Sequence, residues 1–262
     1  MTTSLAQSLA DLGLPGLSEQ LDELLARAAK SDWSHAELLQ NVARIEADDR
    51  SRRSLDRRTR HSRLGRFRPM SDFDWSWPKH IDRPLVEQLL RLDFLKQTRN
   101  VVLLAAPGLG KTMLAQNLAH EALRAGYSVL FTTASKLLLD LGSRDSSRSL
   151  NARLRHYARV GLLVIDELGY LSYDSRSADL LFQLVNLRYE KKSLVLTSNL
   201  AFSAWGNVFP NASCATALIE RVVHHCDIVT IAGDSYRLRE ARAAAGLNLA
   251  QKPAGSNSRA SS

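Results

Sequence analysis

The feature that most constrains this chain is an apolar segment followed by a loop of small residues and then by a helical pattern. Residues 101–104 read Val-Val-Leu-Leu, and residues 105–112 read Ala-Ala-Pro-Gly-Leu-Gly-Lys-Thr. In a strand–loop–helix of this kind, backbone N–H groups turn toward phosphate oxygens, and the N-terminus of the helix adds a partial positive charge. The segment therefore predicts a phosphate-binding loop, with ATP as its ligand.

Individual residues of this loop have separate predicted roles. Lys111 reaches the β- and γ-phosphates of ATP, and the Thr112 hydroxyl binds Mg²⁺. Ala105 replaces the first glycine of the pattern G-x-x-x-x-G-K-[ST], whereas Gly108 and Gly110 remain where the loop is tightest. The predicted nucleotide contacts in the loop are Pro107, Gly108, Leu109, Gly110, Lys111, Thr112 and Met113.

A second apolar run ends in two acids. Residues 162–165 read Leu-Leu-Val-Ile, and Asp166 and Glu167 follow. Burial of this run as a strand places both acids at the carboxyl edge of the sheet, where open α/β folds bind their ligands. We predict that Asp166 contacts the nucleotide and holds Mg²⁺, and that Glu167 is the general base that orients the attacking water. A solvated acidic turn is the alternative interpretation of this segment taken alone.

Five short apolar runs alternate with helical stretches from residue 100 onward. Runs that are apolar throughout suit strands buried on both faces of a parallel sheet. We therefore predict a three-layer α/β domain over residues 69–242, with a five-stranded parallel sheet covered by helices. Residues 243–262 are polar and predict a disordered tail. The predicted strands are 101–106, 128–133, 162–166, 194–198 and 228–231.

Residues 1–68 predict a small all-helical N-terminal domain. Leucines recur at helical spacing between residues 4 and 48, and breaks at 15–16 and 31–32 divide this stretch into two or three short helices. The last helix runs on into the arginine-rich segment 50–68. Because so small a domain cannot hold a robust core by itself, we expect its helices to pack on one another or on the neighbouring domain.

The positive charge of the chain is concentrated in one segment. The formal net charge is +8, and residues 50–68 carry nine arginines against a single acid, Asp56. Such a segment attracts a polyanion and displaces its counterions, so it predicts contact with DNA phosphates. A solvated helix face is the alternative interpretation. The candidate contacts are Arg50, Arg52, Arg53, Arg57, Arg58, Arg60 and Arg63.

Several aromatic and ligand-type residues lie outside these motifs. Core packing is the default interpretation of Trp75 and Trp77, and a place beside the nucleotide base is the alternative. His224 and His225 are not at a metal-ligand spacing, so no chemistry is predicted for them. The N-terminus lacks a basic region leading into an apolar run, and no stretch reaches the ~18 apolar residues of a membrane span. A cytoplasmic location is therefore expected.

These residues together resemble a known family, the IstB-type helper ATPases of insertion sequences. The similarity runs over about residues 8–240 and is carried by NVVLLAAPGLGKTMLA, LLVIDELGYL, LVLTSNLAFSAWGNVF and ALIERVVHHCDIVTIAGDSYRLRE. The two nucleotide motifs identify only the AAA+ superfamily, whereas Ser-Asn-Leu-x-Phe-Ser-x-Trp-Gly and Gly-Asp-Ser-Tyr-Arg are specific to the group that also holds the helicase loader DnaC. The initiator DnaA is a more distant relative.

The resemblance implies roles for three further residues. Asn199 matches the sensor-1 position, which contacts the attacking water or the γ-phosphate, and Arg237 looks like the family's phosphate-facing, sensor-2-like arginine. Arg221 matches the arginine finger that one subunit offers to the ATP of its neighbour, which implies a homo-oligomer. From the residues alone, Asn199 is also explained as a strand-to-turn asparagine, and Arg221 as one charge on an amphipathic helix.

The resemblance also implies partners. Members of the family form ATP-dependent oligomers on double-stranded DNA, distort it and recruit the transposase of the same element. Arg144 and Arg148 occupy a region that faces DNA in related assemblies, although a solvated helix face explains these charges nearly as well. We expect an ATPase that assists transposition. The alternatives are a loader of a replicative helicase, a non-catalytic ATP-bound DNA scaffold and a kinase of small metabolites. The presence of Glu167 argues against the non-catalytic scaffold.

Overall fold

A computed structural model describes residues 2–170, 173–210 and 212–244. The tail predicted at 243–262 lies outside the described residues except for its first two positions, which end a helix. Among the described helices, none is both long and apolar enough to cross a bilayer.

A five-stranded, fully parallel sheet forms the centre of the fold, as the sequence predicts. Its strand order is β2-β3-β4-β1-β5, so β4 separates the strand before the phosphate-binding loop from the strand that carries the two acids. The strands are β1 (Asn100–Ala105), β2 (Val129–Thr133), β3 (Leu162–Leu168), β4 (Ser193–Ser198) and β5 (Cys226–Ile231).

Helices cover both faces of this sheet. Within the described chain they are α1 (Thr2–Asp11), α2 (Pro15–Lys30), α3 (His35–Ser62), α4 (Arg83–Leu90), α5 (Asp93–Lys96), α6 (Lys111–Arg124), α7 (Ala134–Gly142), α8 (Ser147–Arg159), α9 (Ser175–Arg188), α10 (Ala212–Val223) and α11 (Tyr236–Ala244). Short 3-10 turns occupy Met70–Asp72 and Phe202–Asn207.

The core has two apolar layers, one on each face of the sheet. Side chains of β3 alternate between them, because successive residues of a strand point to opposite faces. Leu162 and Val164 pack with α4, α5 and α6, whereas Leu163 and Ile165 pack with α7 to α10. All four side chains are fully buried, which explains why this strand is apolar throughout. The predicted three-layer arrangement is confirmed.

The N-terminal region contains three helices, and the third is not short. Ser34 and Glu37 form a reciprocal capping box that fixes the start of α3, and α3 then runs for 28 residues to a left-handed residue, Arg63. Its first half packs on α2, while its second half packs on α6 and β2, where Arg58 donates to the Leu123 carbonyl (3.1 Å). The domain boundary predicted at residue 68 stays a prediction, since α3 contacts both regions.

Candidate active site

The phosphate-binding loop joins the end of β1 to the start of α6, and two of its glycines have a backbone that other residues rarely adopt. Gly108 and Gly110 have φ values of +82° and +90°. A Cβ on Gly108 would lie 2.1 Å from the Ser235 hydroxyl oxygen, and a Cβ on Gly110 would lie 2.8 Å from the ring of Phe73. Glycine is therefore required at both positions, by its backbone angle and by the close approach of Ser235 and Phe73.

Lys111 begins α6 and lies at the centre of the loop. Its ammonium donates to the carbonyls of Ala105 (2.6 Å) and Ala106 (3.0 Å), and the residue is 8% exposed. Burial lowers the pKa of Lys111, and the charge of Arg237 lowers it further, while the charge of Asp166 opposes both effects. Two cationic side chains close together form a site that suits an anionic ligand such as a polyphosphate.

Three oxygen-bearing side chains meet beside the loop. The Thr112 hydroxyl lies 3.2 and 3.1 Å from the two carboxylate oxygens of Asp166, which is 4% exposed. The Thr197 hydroxyl, from the neighbouring strand β4, donates to the same carboxylate. A carboxylate and a hydroxyl oxygen are the hard ligands that Mg²⁺ takes in nucleotide sites, so Thr112 and Asp166 fit the predicted metal.

Glu167 has an unusual backbone that separates it from Asp166. Its φ is +62°, and the pairing of β3 with β4 is interrupted by a bulge between Ile165 and Leu168. The Glu167 N–H donates to the Thr197 hydroxyl (2.9 Å), which holds the bulge in place. Asp166 is therefore buried under Thr112 while the Glu167 side chain is exposed at the cavity. A non-glycine residue with positive φ at this point is strained, as functional positions often are.

These groups surround one cavity of about 410 Å³. The volume lies within the range of small-molecule sites. Every residue predicted as a loop contact lines the cavity, together with Glu167, Arg237 and Thr197. Thr197 is the residue that sequence reasoning missed. Its only signal was its place one residue before the end of the strand that precedes Asn199.

Aromatic residues form a rim of this cavity beside the loop. Phe73, Trp77 and Tyr236 line it. The Trp77 indole N–H donates to the Asp234 carbonyl (2.8 Å), and the Arg239 guanidinium lies 4.4 Å from the Trp77 ring centroid. Trp75 instead packs against the core. The core-packing interpretation therefore fits Trp75, whereas Trp77 lies at the rim.

Two predicted catalytic residues, Asn199 and Arg221, do not line the cavity. The Asn199 side-chain oxygen is buried and accepts no hydrogen bond from the part of the chain that is described. Arg221 lies on α10, where it donates to the Asn186 side chain (2.9 Å) and stacks 4.8 Å over the ring of Phe182. The fold thus brings Lys111, Asp166 and Glu167 together, whereas Arg221 lies on α10, outside the cavity.

The candidate DNA-binding arginines fall into two groups. Some have partners within the chain: Arg50, Arg52 and Arg53 pair with Glu46 and Asp49, Arg58 binds the Leu123 carbonyl, and Arg144 pairs with Asp140. The others form no ion pair among the described residues: Arg57, Arg60, Arg63 and Arg148. Exposure does not separate the groups, because Arg50, Arg52 and Arg53 are also exposed. Glu46 and Asp49 lie just before the arginine-rich segment 50–68, so a charge count over that segment leaves them out.

The comparison with known proteins identifies a family over most of the chain. The family model described as IstB-like ATP binding protein matches residues 7–244. An IS21 ATP-binding protein of Pseudomonas aeruginosa is 37% identical over 236 residues, covering 90% of this chain and 89% of that protein. An IS5376 ATP-binding protein of Geobacillus stearothermophilus is 35% identical over 231 residues, covering 88% and 92%.

A solved structure supports the fold. The crystal structure of DnaI superposes with a TM-score of 0.53 at 20% identity, covering 64% of this chain and 92% of that one. Likeness at this identity concerns the architecture and not the activity. The activity-related evidence is the family match, which spans the loop, both acids and the aromatic rim. On that match and on the two insertion-sequence relatives, this chain belongs to the family of IstB-like ATP-binding proteins.

Proposed function

We propose that this protein hydrolyses ATP with Mg²⁺ and couples hydrolysis to assembly on double-stranded DNA during transposition of its insertion sequence. The observation that supports this proposal best is that Lys111, Thr112 and Glu167 line one cavity with the phosphate-binding loop, while Asp166 lies directly beneath Thr112. The exposed Glu167 carboxylate lines the same cavity on a strained backbone, which favours hydrolysis over storage of ATP.

Each of these residues has a separate proposed role in hydrolysis. Lys111 binds the β- and γ-phosphate oxygens, and Thr112 and Asp166 would hold Mg²⁺. When bound, Mg²⁺ neutralises negative charge on the phosphates. The Glu167 carboxylate orients the attacking water and accepts its proton. Thr197 is a positioning residue, because its hydroxyl contacts the Asp166 carboxylate and the Glu167 N–H at once.

Arg221 acts on a neighbouring subunit in this proposal. It lies outside the cavity of its own chain, and its guanidinium is held on the surface of α10 by Asn186 and Phe182. An arginine finger supplied in trans stabilises charge on the γ-phosphoryl group and makes hydrolysis depend on assembly. Asn199 and Arg237 complete the proposed set, with Arg237 already at the cavity wall.

Transposition is favoured over helicase loading by the relatives. The two insertion-sequence proteins cover about nine-tenths of this chain at 35–37% identity, whereas the likeness to DnaI concerns the fold alone. The transposase of the same element is therefore the proposed protein partner. A scaffold that binds ATP without hydrolysis is the competing function, and turnover by the purified protein separates the two.

The proposed DNA surface joins the two basic segments of the sequence. Burial lowers the pKa of His156 on α8, and the charges of Arg153 and then Arg63 lower it further. Arg63, just after α3, is thus close enough to α8 for its charge to act on His156. Arg57, Arg60 and Arg63 form no ion pair among the described residues, so they are freer to bind phosphates than the arginines already paired with Glu46 and Asp49.

This assignment predicts different salt dependences for two triple variants. Replacing Arg57, Arg60 and Arg63 by Gln is expected to weaken binding to duplex DNA and to reduce the slope of log K against log[salt] by about 0.9 for each DNA phosphate that the variant no longer binds. Replacing Arg50, Arg52 and Arg53 by Gln removes the same charge from the same helix and is expected to change the slope less. Fluorescence anisotropy of labelled duplexes at several salt concentrations, with ATP present, measures both. Equal slopes for both variants and the parent would show that α3 does not contact DNA.

A further inference from the structure

A cluster of metal-ligand side chains lies away from the nucleotide cavity. We propose that Glu190, His224 and His225 form a binding site for a divalent cation of the zinc class. Each residue offers one ligand atom, and these three atoms lie within 4.8 Å of one another. The site lies at the amino edge of the sheet, because Glu190 precedes β4 and His225 precedes β5, whereas the nucleotide cavity lies at the carboxyl edge.

Two of the three distances between ligand atoms are close to those of tetrahedral coordination, and the two histidine nitrogens lie within 4.8 Å of each other. The Glu190 Oε1 atom is 3.7 Å from His224 Nδ1 and 3.6 Å from His225 Nε2. Zinc bonds of about 2.0–2.2 Å at tetrahedral angles place neighbouring ligand atoms about 3.3–3.6 Å apart. Small side-chain rotations therefore bring all three atoms to bonding distance of a single ion.

The backbone holds the three residues in place. The His224 N–H donates to the Glu220 carbonyl (3.0 Å) at the end of α10, and the His225 carbonyl accepts from the Asn100 N–H (2.7 Å) at the start of β1. Glu190 has a φ of +55°, so the turn after α9 keeps a left-handed residue in a position usually given to glycine or asparagine. The two histidine rings are 4.1 Å apart.

The ligand set selects the class of cation. Two imidazoles and one carboxylate suit zinc and similar transition metals, whereas Mg²⁺ and Ca²⁺ take oxygen ligands. Three protein ligands leave a fourth position open, which water or a group from another molecule fills. The cationic groups near the site are Lys191, Lys192, Arg99 and Arg221, of which Arg99 is paired with Asp227.

The site is connected to Arg221 through one aromatic residue. The Tyr189 hydroxyl is hydrogen-bonded to His224 Nδ1 (2.7 Å), and the Arg221 guanidinium lies 5.8 Å from the Tyr189 ring centroid. A cation on His224 Nδ1 takes the place of this hydrogen bond and releases the Tyr189 hydroxyl. Sequence reasoning found no metal-ligand spacing here because the third ligand, Glu190, comes from a distant turn between α9 and β4.

Zinc titration of the full chain tests the site. The protein is prepared without a histidine tag, stripped with a chelator and titrated with Zn²⁺ against a chromophoric competitor. We expect one Zn²⁺ per chain, and we expect His224→Ala, His225→Ala and Glu190→Gln each to weaken binding by about tenfold or more. His35→Ala removes an exposed histidine at the start of α3 and is the matched control, expected to bind Zn²⁺ as the parent does.

A second readout reports the geometry. Co²⁺ in place of Zn²⁺ is expected to give the intense visible bands of a four-coordinate site in the parent and in His35→Ala, and to lose them in the three cluster variants. Circular dichroism checks that each variant is folded. Two results would overturn the proposal. One is a parent protein that takes no Zn²⁺ from the chromophoric competitor, and the other is cluster variants that bind Zn²⁺ as tightly as the parent.

Discussion

Replacing Glu167 by Gln is expected to reduce ATP turnover by about 10²–10⁴-fold, because the amide cannot accept a proton from the attacking water. ATP affinity is expected to change little, since Lys111 and the loop backbone, the proposed phosphate ligands, are untouched. Phosphate release under saturating ATP measures turnover, and titration with a fluorescent ATP analogue measures affinity. The two measurements together separate a loss of chemistry from a loss of binding.

Three other substitutions make this result specific. Glu87→Gln removes an exposed carboxylate on α4 and is expected to leave both quantities unchanged. Thr197→Val removes the hydroxyl that contacts Asp166 and the Glu167 N–H, and its turnover is expected to fall between those of the parent and Glu167→Gln, with recovery in Thr197→Ser. Turnover by Glu167→Gln at the rate of the parent would exclude Glu167 as the general base.

The second large effect concerns stability and the buried residue Arg188. This last residue of α9 is fully buried, and its guanidinium donates to the carbonyls of Tyr157, Ala158 and Val160 at the end of α8 and of Ser193 at the start of β4. Burial lowers the pKa of Arg188 to about 9, so the side chain remains protonated at neutral pH. One cation therefore satisfies carbonyls that would otherwise be buried without donors.

Arg188→Met is expected to lower the free energy of unfolding by about 3–5 kcal/mol, because the methionine fills the space but leaves several buried carbonyls unpaired. Thermal unfolding followed by circular dichroism without ATP measures the change, since bound ATP would raise the midpoint. Arg155→Met, on the exposed face of α8, is the control and is expected to stay within about 0.5 kcal/mol of the parent. A midpoint for Arg188→Met equal to that of Arg155→Met would contradict this account of α9.

Much of the fold was predictable because strands buried on both faces consist of consecutive apolar residues. β3 is covered on both faces, so every residue from 162 to 165 is apolar and the strand is recognisable without its neighbours. The phosphate-binding loop was predictable for a different reason. Two glycines, a lysine and a threonine at fixed positions are needed to expose backbone N–H groups and bind phosphate, and few other turns need that combination.

Features that depend on contacts between distant segments were not predictable. Thr197 reads as one more residue of an apolar strand, and its role follows from the pairing of β3 with β4, which places it beside the Glu167 bulge. The free charge of α3 is smaller than its arginines suggest for a different reason, which is local and is missed only because the charge count begins at residue 50. Glu46 and Asp49 precede the arginine segment and are one or two helical turns from Arg50 and Arg53, so part of the positive charge is neutralised locally.

The most direct test of the central claim, an ATP site completed by a neighbouring subunit, mixes two inactive proteins. Arg221→Ala keeps its own Glu167, and Glu167→Gln keeps its own Arg221. In a random one-to-one mixture on duplex DNA, about a quarter of the interfaces combine an intact Glu167 with an intact Arg221 from the neighbour, so turnover is expected to recover to roughly that fraction of the parent value. If the mixture hydrolyses ATP no faster than the two variants measured separately, Arg221 does not act in trans and the account is wrong.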